Sequence, residues 1–233
     1  MSSFPGFPEE TVTFLTDLAK NNKKVWFDAH RADYDKYLME PARAFTEALG
    51  ERLTAIAPGI IAEPRVNGSI FRIFRDTRFS KDKTPYKTHL GIFCWEGEGT
   101  KKECPGFYFH LDPPNLMLGG GIHIFSKPLL KEFRRSVVHP QHGHDLAVVA
   151  TGVSKMFEIG GRHYKKVPAG YDKDSPYAQF LLFNGLTARM EEPIPAALYG
   201  PDFVDHCFEV FQKMLPIHSW LLEMVARARA DRA

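Results

Sequence analysis

The sequence contains few of the features that identify common classes of protein. Its 233 residues include only three cysteines, Cys94, Cys104 and Cys207, and no two of them form a Cys-x-x-Cys pair. This number and spacing support neither a disulfide framework nor a cysteine zinc site. We therefore expect a protein of a reducing compartment, the cytoplasm.

Long apolar runs are also missing. No segment approaches the roughly 18 apolar residues that a membrane-spanning helix needs, and Met1–Phe7 lacks the basic start and apolar run of a signal peptide. The formal net charge is only +2, which argues against attraction of the whole protein to a nucleic acid or a membrane. We expect no membrane partner.

Several motifs of well-known enzymes are absent as well. The sequence has no P-loop, no Gly-x-Gly-x-x-Gly after a strand, no His-Glu-x-x-His and no Gly-x-Ser-x-Gly. A serine or cysteine triad assembles in space rather than in sequence, and no trio of residues stands out for that role. We predict no cofactor, and the sequence leaves open whether the protein is an enzyme.

The composition is that of a globular protein, with 44% hydrophobic and 13% aromatic residues, enough for one large core. Apolar residues recur at helical spacing in residues 8–57, beginning with a predicted helix over 8–20. Short alternating runs divided by turn residues predict an antiparallel meander of strands at 60–66, 69–74, 90–95, 106–111 and 115–125. In the run 106–111, Phe107, Phe109 and Leu111 face one side and Tyr108 and His110 the other.

Residues 126–233 again favour helices, with short strands between them, and end in two predicted helices, 201–214 and 216–229, which Pro216 separates. The pattern predicts a single α+β domain over residues 1–233, in which an antiparallel sheet of about five to six strands is flanked by N-terminal and C-terminal helices.

The most distinctive segment is basic. Residues 65–89 contain seven Lys or Arg side chains and two Asp side chains, a local excess of positive charge within a nearly neutral chain. The segment begins as a predicted strand, Ser69–Phe74, in which Arg72 alternates with apolar neighbours. From Arg75 onward, Asp, Ser, Thr and Pro predict a loop. We call residues 72–89 the basic motif.

Arginine and lysine gathered in this way favour an anion site, because a guanidinium makes two-point contacts with a phosphate or carboxylate. We predict that the basic motif binds a small phosphorylated or carboxylated ligand through Arg72, Arg75, Arg78, Lys83, Tyr86 and Lys87. If the protein has a catalytic activity, Asp76 or His89 is a candidate base and Lys83 or Tyr86 a candidate acid.

Two other interpretations stay open. The same segment could form a nucleic-acid or protein-binding module, with Phe79, Tyr86 and Trp95 as stacking surfaces; the balanced net charge makes this the less favoured alternative. It could also be purely structural, with Asp76 and Asp82 pairing with the cations and holding the loop rigid.

Two further segments contain residue types that bind ligands. His139, His142 and His144 with Asp145 are of the types that bind metals, but Pro140 and Gly143 indicate a turn between helices, and we predict no metal site. The run Gly119-Gly120-Gly121 does not have the spacing of a phosphate-binding loop. It favours a bulge or a close approach of another backbone.

The basic motif also resembles a known family. Arg72, the run Arg75-Asp76-Thr77-Arg78-Phe79-Ser80 and the run Asp82-Lys83-Thr84-Pro85-Tyr86-Lys87 are similar to the signature of a family known as domain of unknown function 2461. Similar segments of that family correspond to Asn21–Phe27, Gly106-Phe107-Tyr108 and Gly119-Gly120-Gly121. The resemblance covers nearly the whole chain. It implies a single domain and directs attention to the same residues, but it implies no activity, cofactor or catalytic residue.

Overall fold

The structure is a computed structural model that describes residues 4–230. Its first helix begins close to the N-terminus. The described residues exclude 1–3 and 231–233, the two ends of the predicted domain. Residues 1–3 also begin the segment that lacks the features of a signal peptide. The helices are α1 (Glu9–Lys20), α2 (Lys24–Ala29), α3 (Arg31–Asp33), α4 (Glu40–Leu53), α5 (Lys127–Val138), α6 (Pro140–Val153) and α7 (Phe203–Ala230). A π-helical turn, Tyr34–Met39, joins α3 to α4.

One antiparallel sheet runs through the fold. Its strands are β1 (Ile60–Ile61), β2 (Leu90–Glu96), β3 (Gly106–Asp112), β4 (Asn115–Ile122), β5 (Glu158–Arg162) and β6 (Phe183–Pro193). The six strands lie in the order β1-β2-β3-β4-β6-β5. Strands β2, β3 and β4 follow one another in sequence and in space, as expected of a meander. The predicted fold class, an α+β protein with such a sheet and with helices at both ends of the chain, is confirmed.

Two predicted strands differ from the observed structure. The segment predicted to pair from Ile60 to Val66 is a strand only at Ile60–Ile61. The predicted strand Ser69–Phe74 is wrong, because this segment makes only isolated bridges, among them Ile70 to Ile92 and Phe74 to Tyr86. Arg72 lies between those bridges with its side chain exposed, which avoids the cost of burying a guanidinium in an apolar layer.

Helix α7 is longer than expected. We predicted two helices separated by Pro216, whereas the structure has one helix of 28 residues with Pro216 inside it. Proline removes one backbone hydrogen bond and crowds the preceding turn. Here the proline side chain is exposed, while Ile217, Leu221 and Met224 on the same helix are buried, and this packing offsets the cost.

The described residues divide into two compact units. The first contains residues 4–94, 108–118 and 191–210, and the second contains residues 95–107, 119–190 and 211–230. A cluster of aromatic rings, Phe7, Phe45, Phe109 and Phe203, fills the core of the first unit. In the second unit the buried rings include Phe107, Phe133, Phe211 and Trp220.

No helix within residues 4–230 is both long enough and apolar enough to cross a membrane.

Candidate functional site

The basic motif folds back on itself as a hairpin in the first unit. The backbone amide of Arg75 donates to the carbonyl of Pro85 at 2.9 Å, and the amide of Lys87 donates to the carbonyl of Ile73 at 2.8 Å. Pro85 has no amide hydrogen to donate, so it fits where only its carbonyl is used. The two arms of the motif therefore lie side by side, and the charged residues between them form the tip.

A side chain from the N-terminal helical segment anchors this hairpin. The Asn22 carboxamide donates to the backbone oxygen of Tyr86 at 2.9 Å and accepts from its backbone nitrogen at 3.0 Å. The Tyr86 ring is buried and stacks on Phe27, with 4.2 Å between ring centres. The structure thus places Tyr86, a predicted ligand-binding residue, in the packed base of the motif.

Two of the predicted ligand-binding arginines are paired with acidic residues of the motif itself. Arg78 binds both carboxylate oxygens of Asp76, at 2.9 and 2.7 Å, and Arg75 binds Asp82 and the hydroxyl of Thr84. Hydrogen bonds from Arg78 hold the pKa of Asp76 down at about 2. The backbone amide of Thr84, followed by Arg75, lowers the pKa of Asp82 to about 2.

The consequences differ for the predicted roles of these residues. A carboxylate with a pKa of about 2 is a weak general base at neutral pH. Asp76, the candidate base, has such a pKa. Lys83, the other charged candidate at the tip, donates to the backbone oxygen of Thr77 at 2.8 Å. These contacts hold the tip of the loop together.

Arg72 and Lys87 are arranged differently. Within residues 4–230, neither side chain forms an ion pair, and the charge of Arg72 is close enough to act on the pKa of Lys87. Partial burial, followed by the charge of Arg72, lowers the pKa of Lys87. The Lys87 ammonium lies 5.4 Å from the centre of the Phe71 ring, which is 38% exposed. Arg72 and Lys87 are therefore two neighbouring cations that no ion pair of the described residues holds.

Strand β3 brings further polar side chains to the same place. Its residues alternate as predicted: Phe107, Phe109 and Leu111 are buried, whereas Tyr108 and His110 are half-buried. The rings of His89, just before β2, and His110 are 4.2 Å apart at their centres. The Tyr108 hydroxyl lies 2.9 Å from Nδ1 of His110.

Asp112, at the end of β3, completes this group. His89, His110 and Asp112 each offer one ligand atom, and these atoms lie within 4.8 Å of one another. We call His89, Tyr108, His110 and Asp112 the strand-end cluster. Of these four residues, the sequence predicts a catalytic or binding role for His89 alone. The sequence feature that pointed to Tyr108 and His110 was their position as two polar residues on one face of β3.

Burial shifts the proton affinities of this cluster. Burial, followed by the charges of His110 and Lys87, lowers the pKa of His89 to about 4. Burial likewise lowers the pKa of His110, although Asp112 acts in the opposite direction. Burial raises the pKa of Tyr108 to about 12. At neutral pH the two imidazoles and the phenol are uncharged, and Lys87 is the nearby cation.

The other candidate segments have structural roles. His139 caps the N-terminus of helix α6, where its Nδ1 accepts from the backbone amide of His142. Gly121 has a φ of +130°, and a Cβ there would lie 2.2 Å from the carbonyl oxygen of Leu186. In the second unit, the glycine run therefore permits the close approach of another backbone.

A cleft of about 510 Å³ in the first unit lies apart from the basic motif. Its lining includes Pro8, Lys36, Glu40, Pro41 and Tyr199. It contains none of the predicted ligand-binding residues.

Comparison with known proteins identifies a family. A family model described as "Conserved hypothetical protein (DUF2461)" matches residues 10–220 of the 233-residue chain. No curated protein and no solved structure matches the chain. The match spans all of helix α1 but its first residue, helices α2–α6, the whole sheet and the basic motif, and the chain therefore belongs to this family, as its resemblance indicated.

Proposed function

We propose that this protein binds a small anionic ligand, phosphorylated or carboxylated, at the surface where Arg72 and Lys87 meet the strand-end cluster. The single observation that supports this is that Arg72 and Lys87 are neighbouring cations and that, within residues 4–230, neither forms an ion pair. Asp76, whose pKa the charge of Arg72 helps to lower, is already held by two hydrogen bonds from Arg78. A structural ion-pair network would be expected to pair them, as it pairs Arg75 and Arg78.

The electrostatics favour an anion at this position. The lowered pKa of Lys87 means that its charged form is destabilised by burial and by the charge of Arg72. An anion bound between the two side chains would relieve both effects. Arg72 supplies a planar fork for two oxygen atoms, and the Tyr108 hydroxyl is a hydrogen-bond donor nearby.

The proposal divides the predicted ligand-binding residues into two groups. Arg72 and Lys87 contact the ligand. Arg75, Arg78 and Lys83 hold the tip of the loop through their internal bonds, and Tyr86 anchors its base. The proposal concerns binding, and the catalytic roles suggested for Asp76, Lys83, Tyr86 and His89 stay predictions.

Free thiols support a proposal on location. Cys94, Cys104 and Cys207 are buried and unbonded to one another, as is usual for proteins of a reducing compartment. We propose that the protein acts in the cytoplasm.

Calorimetric titration tests the binding proposal. Inorganic phosphate, pyrophosphate and citrate are titrated separately into the parent protein, which has been freed of metal with EDTA and then dialysed to remove the EDTA, and then into Arg72→Ala, Lys87→Ala and Lys81→Ala treated in the same way. Loss of a charge-assisted contact should weaken binding by about tenfold or more in the first two variants. Lys81 is an exposed cation of the same loop, so its variant should bind as the parent does. Equal binding by all three variants, or no binding of any probe by the parent, would contradict the proposal.

A second candidate function rests on Phe79. Its ring is 95% exposed at the tip of the loop, and the Arg78 guanidinium lies 5.7 Å from its centre. An exposed aromatic ring beside an arginine can stack on a base of a single-stranded nucleic acid.

Salt dependence separates the two functions. Binding of a labelled oligonucleotide through several phosphates should weaken steeply between low and moderate salt, and Phe79→Ala should weaken it further. A small anion held by Arg72 and Lys87 should lose much less affinity over the same range and should be insensitive to Phe79→Ala.

A further inference from the structure

The strand-end cluster contains side chains of the types that bind metal ions, which the binding of an anion does not require. It contains two imidazoles and a carboxylate, and within the described residues it is the one group of three such side chains whose ligand atoms lie within 4.8 Å of one another. We infer that His89, His110 and Asp112 form a binding site for a divalent transition-metal ion. The sequence alone predicted no metal site, because the histidine cluster that it shows, His139, His142 and His144, lies at a predicted turn between helices.

The distances are compatible with coordination after a small adjustment. Nitrogen and oxygen ligands bound to zinc at about 2.0–2.1 Å lie roughly 3–3.5 Å from one another. Closing the group from 4.8 Å therefore requires shifts of roughly 1 Å, within the reach of side-chain rotation. Asp112 is the exposed member of the group and lies at the end of its strand, so its carboxylate can make that movement.

Tyr108 prepares His110 for this role. Its hydroxyl lies 2.9 Å from Nδ1 of His110. When Nδ1–H donates to that hydroxyl, the lone pair is left on Nε2, the state in which an imidazole binds a metal. Metal-binding histidines usually have such a partner on the second nitrogen, which fixes the tautomer and the ring orientation. The buried neighbour Gly91 leaves room for Tyr108, because a Cβ at Gly91 would lie 2.8 Å from its hydroxyl oxygen.

The donor set identifies the class of ion. Two histidines and one carboxylate suit zinc, iron, cobalt, nickel and manganese, whereas calcium and magnesium prefer oxygen ligands alone. The charge of Lys87 nearby opposes cation binding, so an ion attracted by charge alone should not bind. Three protein ligands leave coordination positions for water or for a ligand oxygen, as in catalytic rather than structural zinc sites.

Metal titration of the full chain tests the inference. Any affinity tag is removed, because a histidine tag binds the same ions, and the protein is freed of metal with EDTA and dialysed. Zinc, cobalt and magnesium chlorides are then titrated by calorimetry, with no phosphate or carboxylate present. We expect one zinc or cobalt ion per chain and no binding of magnesium. Cobalt should also give a visible absorption band of the bound ion.

Variants then assign the ligands. His89→Ala, His110→Ala and Asp112→Asn should each weaken zinc and cobalt binding by at least tenfold. Tyr108→Phe should weaken it by about 10- to 100-fold, because it removes only the outer partner of His110. The matched control is His144→Ala, which removes an exposed histidine of helix α6 and should bind as the parent does.

The outcomes that would overturn the inference are distinct. They are a parent protein that takes up no zinc or cobalt at tens of micromolar, or a His144→Ala variant that loses as much affinity as His110→Ala. Melting curves without metal check that each variant folds. Asp112 is exposed, so the Asp112→Asn variant still tests the inference if a histidine variant does not fold. Because the anion titrations use metal-free protein and the metal titrations contain no phosphate or carboxylate, each proposal can fail while the other stands.

Discussion

Arg78 binds the carboxylate of Asp76 through two hydrogen bonds, from Nε to Oδ1 at 2.9 Å and from Nη2 to Oδ2 at 2.7 Å. Only Thr77 separates the two residues, and their side chains are 76% and 42% exposed. The geometry is that of a strong pair, but the surrounding water screens it. Exposed ion pairs contribute little to stability even when their geometry is good.

We therefore predict that Arg78→Ala changes the melting temperature by less than about 2 °C. The measurement is thermal unfolding followed by circular dichroism, beside the parent protein at the same salt concentration. A fall of many degrees would instead identify the tip of the loop as an essential part of the scaffold.

Glu132 in helix α5 provides the opposite case. Its side chain is only 5% exposed, and it contacts Arg135 at 2.6 Å, Arg227 at 3.4 Å and the hydroxyl of Ser136 at 3.1 Å. Removing one partner of a buried pair leaves the other charge without compensation.

We expect Glu132→Gln to cost about 1–2 kcal/mol and to lower the melting temperature by about 2–8 °C, less than for a fully buried pair because Arg135 and Arg227 are 53% and 25% exposed. The control is Glu223→Gln, which removes an exposed carboxylate 3.8 Å from the same arginine and should have little effect. Similar melting temperatures for the two variants would show that burial does not set the strength of these pairs.

Asn22 should be more important to stability than its exposed neighbour. Asn22→Ala removes both hydrogen bonds to the backbone of Tyr86 and should destabilise the protein by about 2 kcal/mol, since part-buried backbone groups lose their partners. Asn22→Asp keeps the acceptor but not the donor and should have an intermediate effect.

Asn21→Ala is the control for this experiment, because Asn21 makes an exposed hydrogen bond to Asp17 within the same segment. The free energy of unfolding in urea is the quantity to compare. Equal losses for Asn21→Ala and Asn22→Ala would contradict the anchoring role.

A buried histidine should make stability depend on pH. His218 is 1% exposed, and its Nε2 lies 2.7 Å from the carboxylate of Glu96. Burial lowers the pKa of His218, although Glu96 acts in the opposite direction. The imidazole is thus neutral at pH 7, and it donates a hydrogen bond to Glu96 rather than forming an ion pair with it.

The sign of the pH effect follows. In the unfolded chain His218 titrates near pH 6.5, whereas in the folded protein it does so at lower pH. As pH falls below about 6.5, the unfolded state takes up a proton that the folded state does not, and stability is lost by up to about 1.4 kcal/mol per pH unit.

His218→Gln removes this contribution, so its unfolding free energy should fall less steeply than that of the parent between pH 6.5 and 5. Urea unfolding at pH 7.5, 6.5 and 5.5 measures the two slopes. His144→Gln, at an exposed site, should keep the slope of the parent. Identical slopes for parent and His218→Gln would assign the pH dependence to other groups.

The sequence predicted the parts of the fold that depend on local pattern. Alternating residues in β3 and the helical stripe of α1 gave elements within a residue or two of their observed limits. The prediction failed where packing outweighed local preference. Pro216 stays inside α7 because the apolar side of that helix is buried, and the segment around Arg72 makes bridges instead of a strand.

The candidate site was predictable only in part. The concentration of cations in the basic motif is visible in the sequence, but their partners are not, because Asp76 and Asp82 are each close in sequence to several arginines and lysines. The meeting of His89 with His110 depends on how β2 and β3 align. No local pattern contains that information, and the pair was recognised only from the structure.

The carboxamide of Asn22 has the same donor and acceptor as a peptide group, and it uses both on one residue, Tyr86. In an ordinary sheet, that pairing would come from a neighbouring strand. One side chain here stands in for a length of backbone, so the loop can keep an irregular path without leaving the polar groups of Tyr86 unsatisfied. Exchange of the Tyr86 amide hydrogen with solvent would therefore report on a side chain 64 residues away.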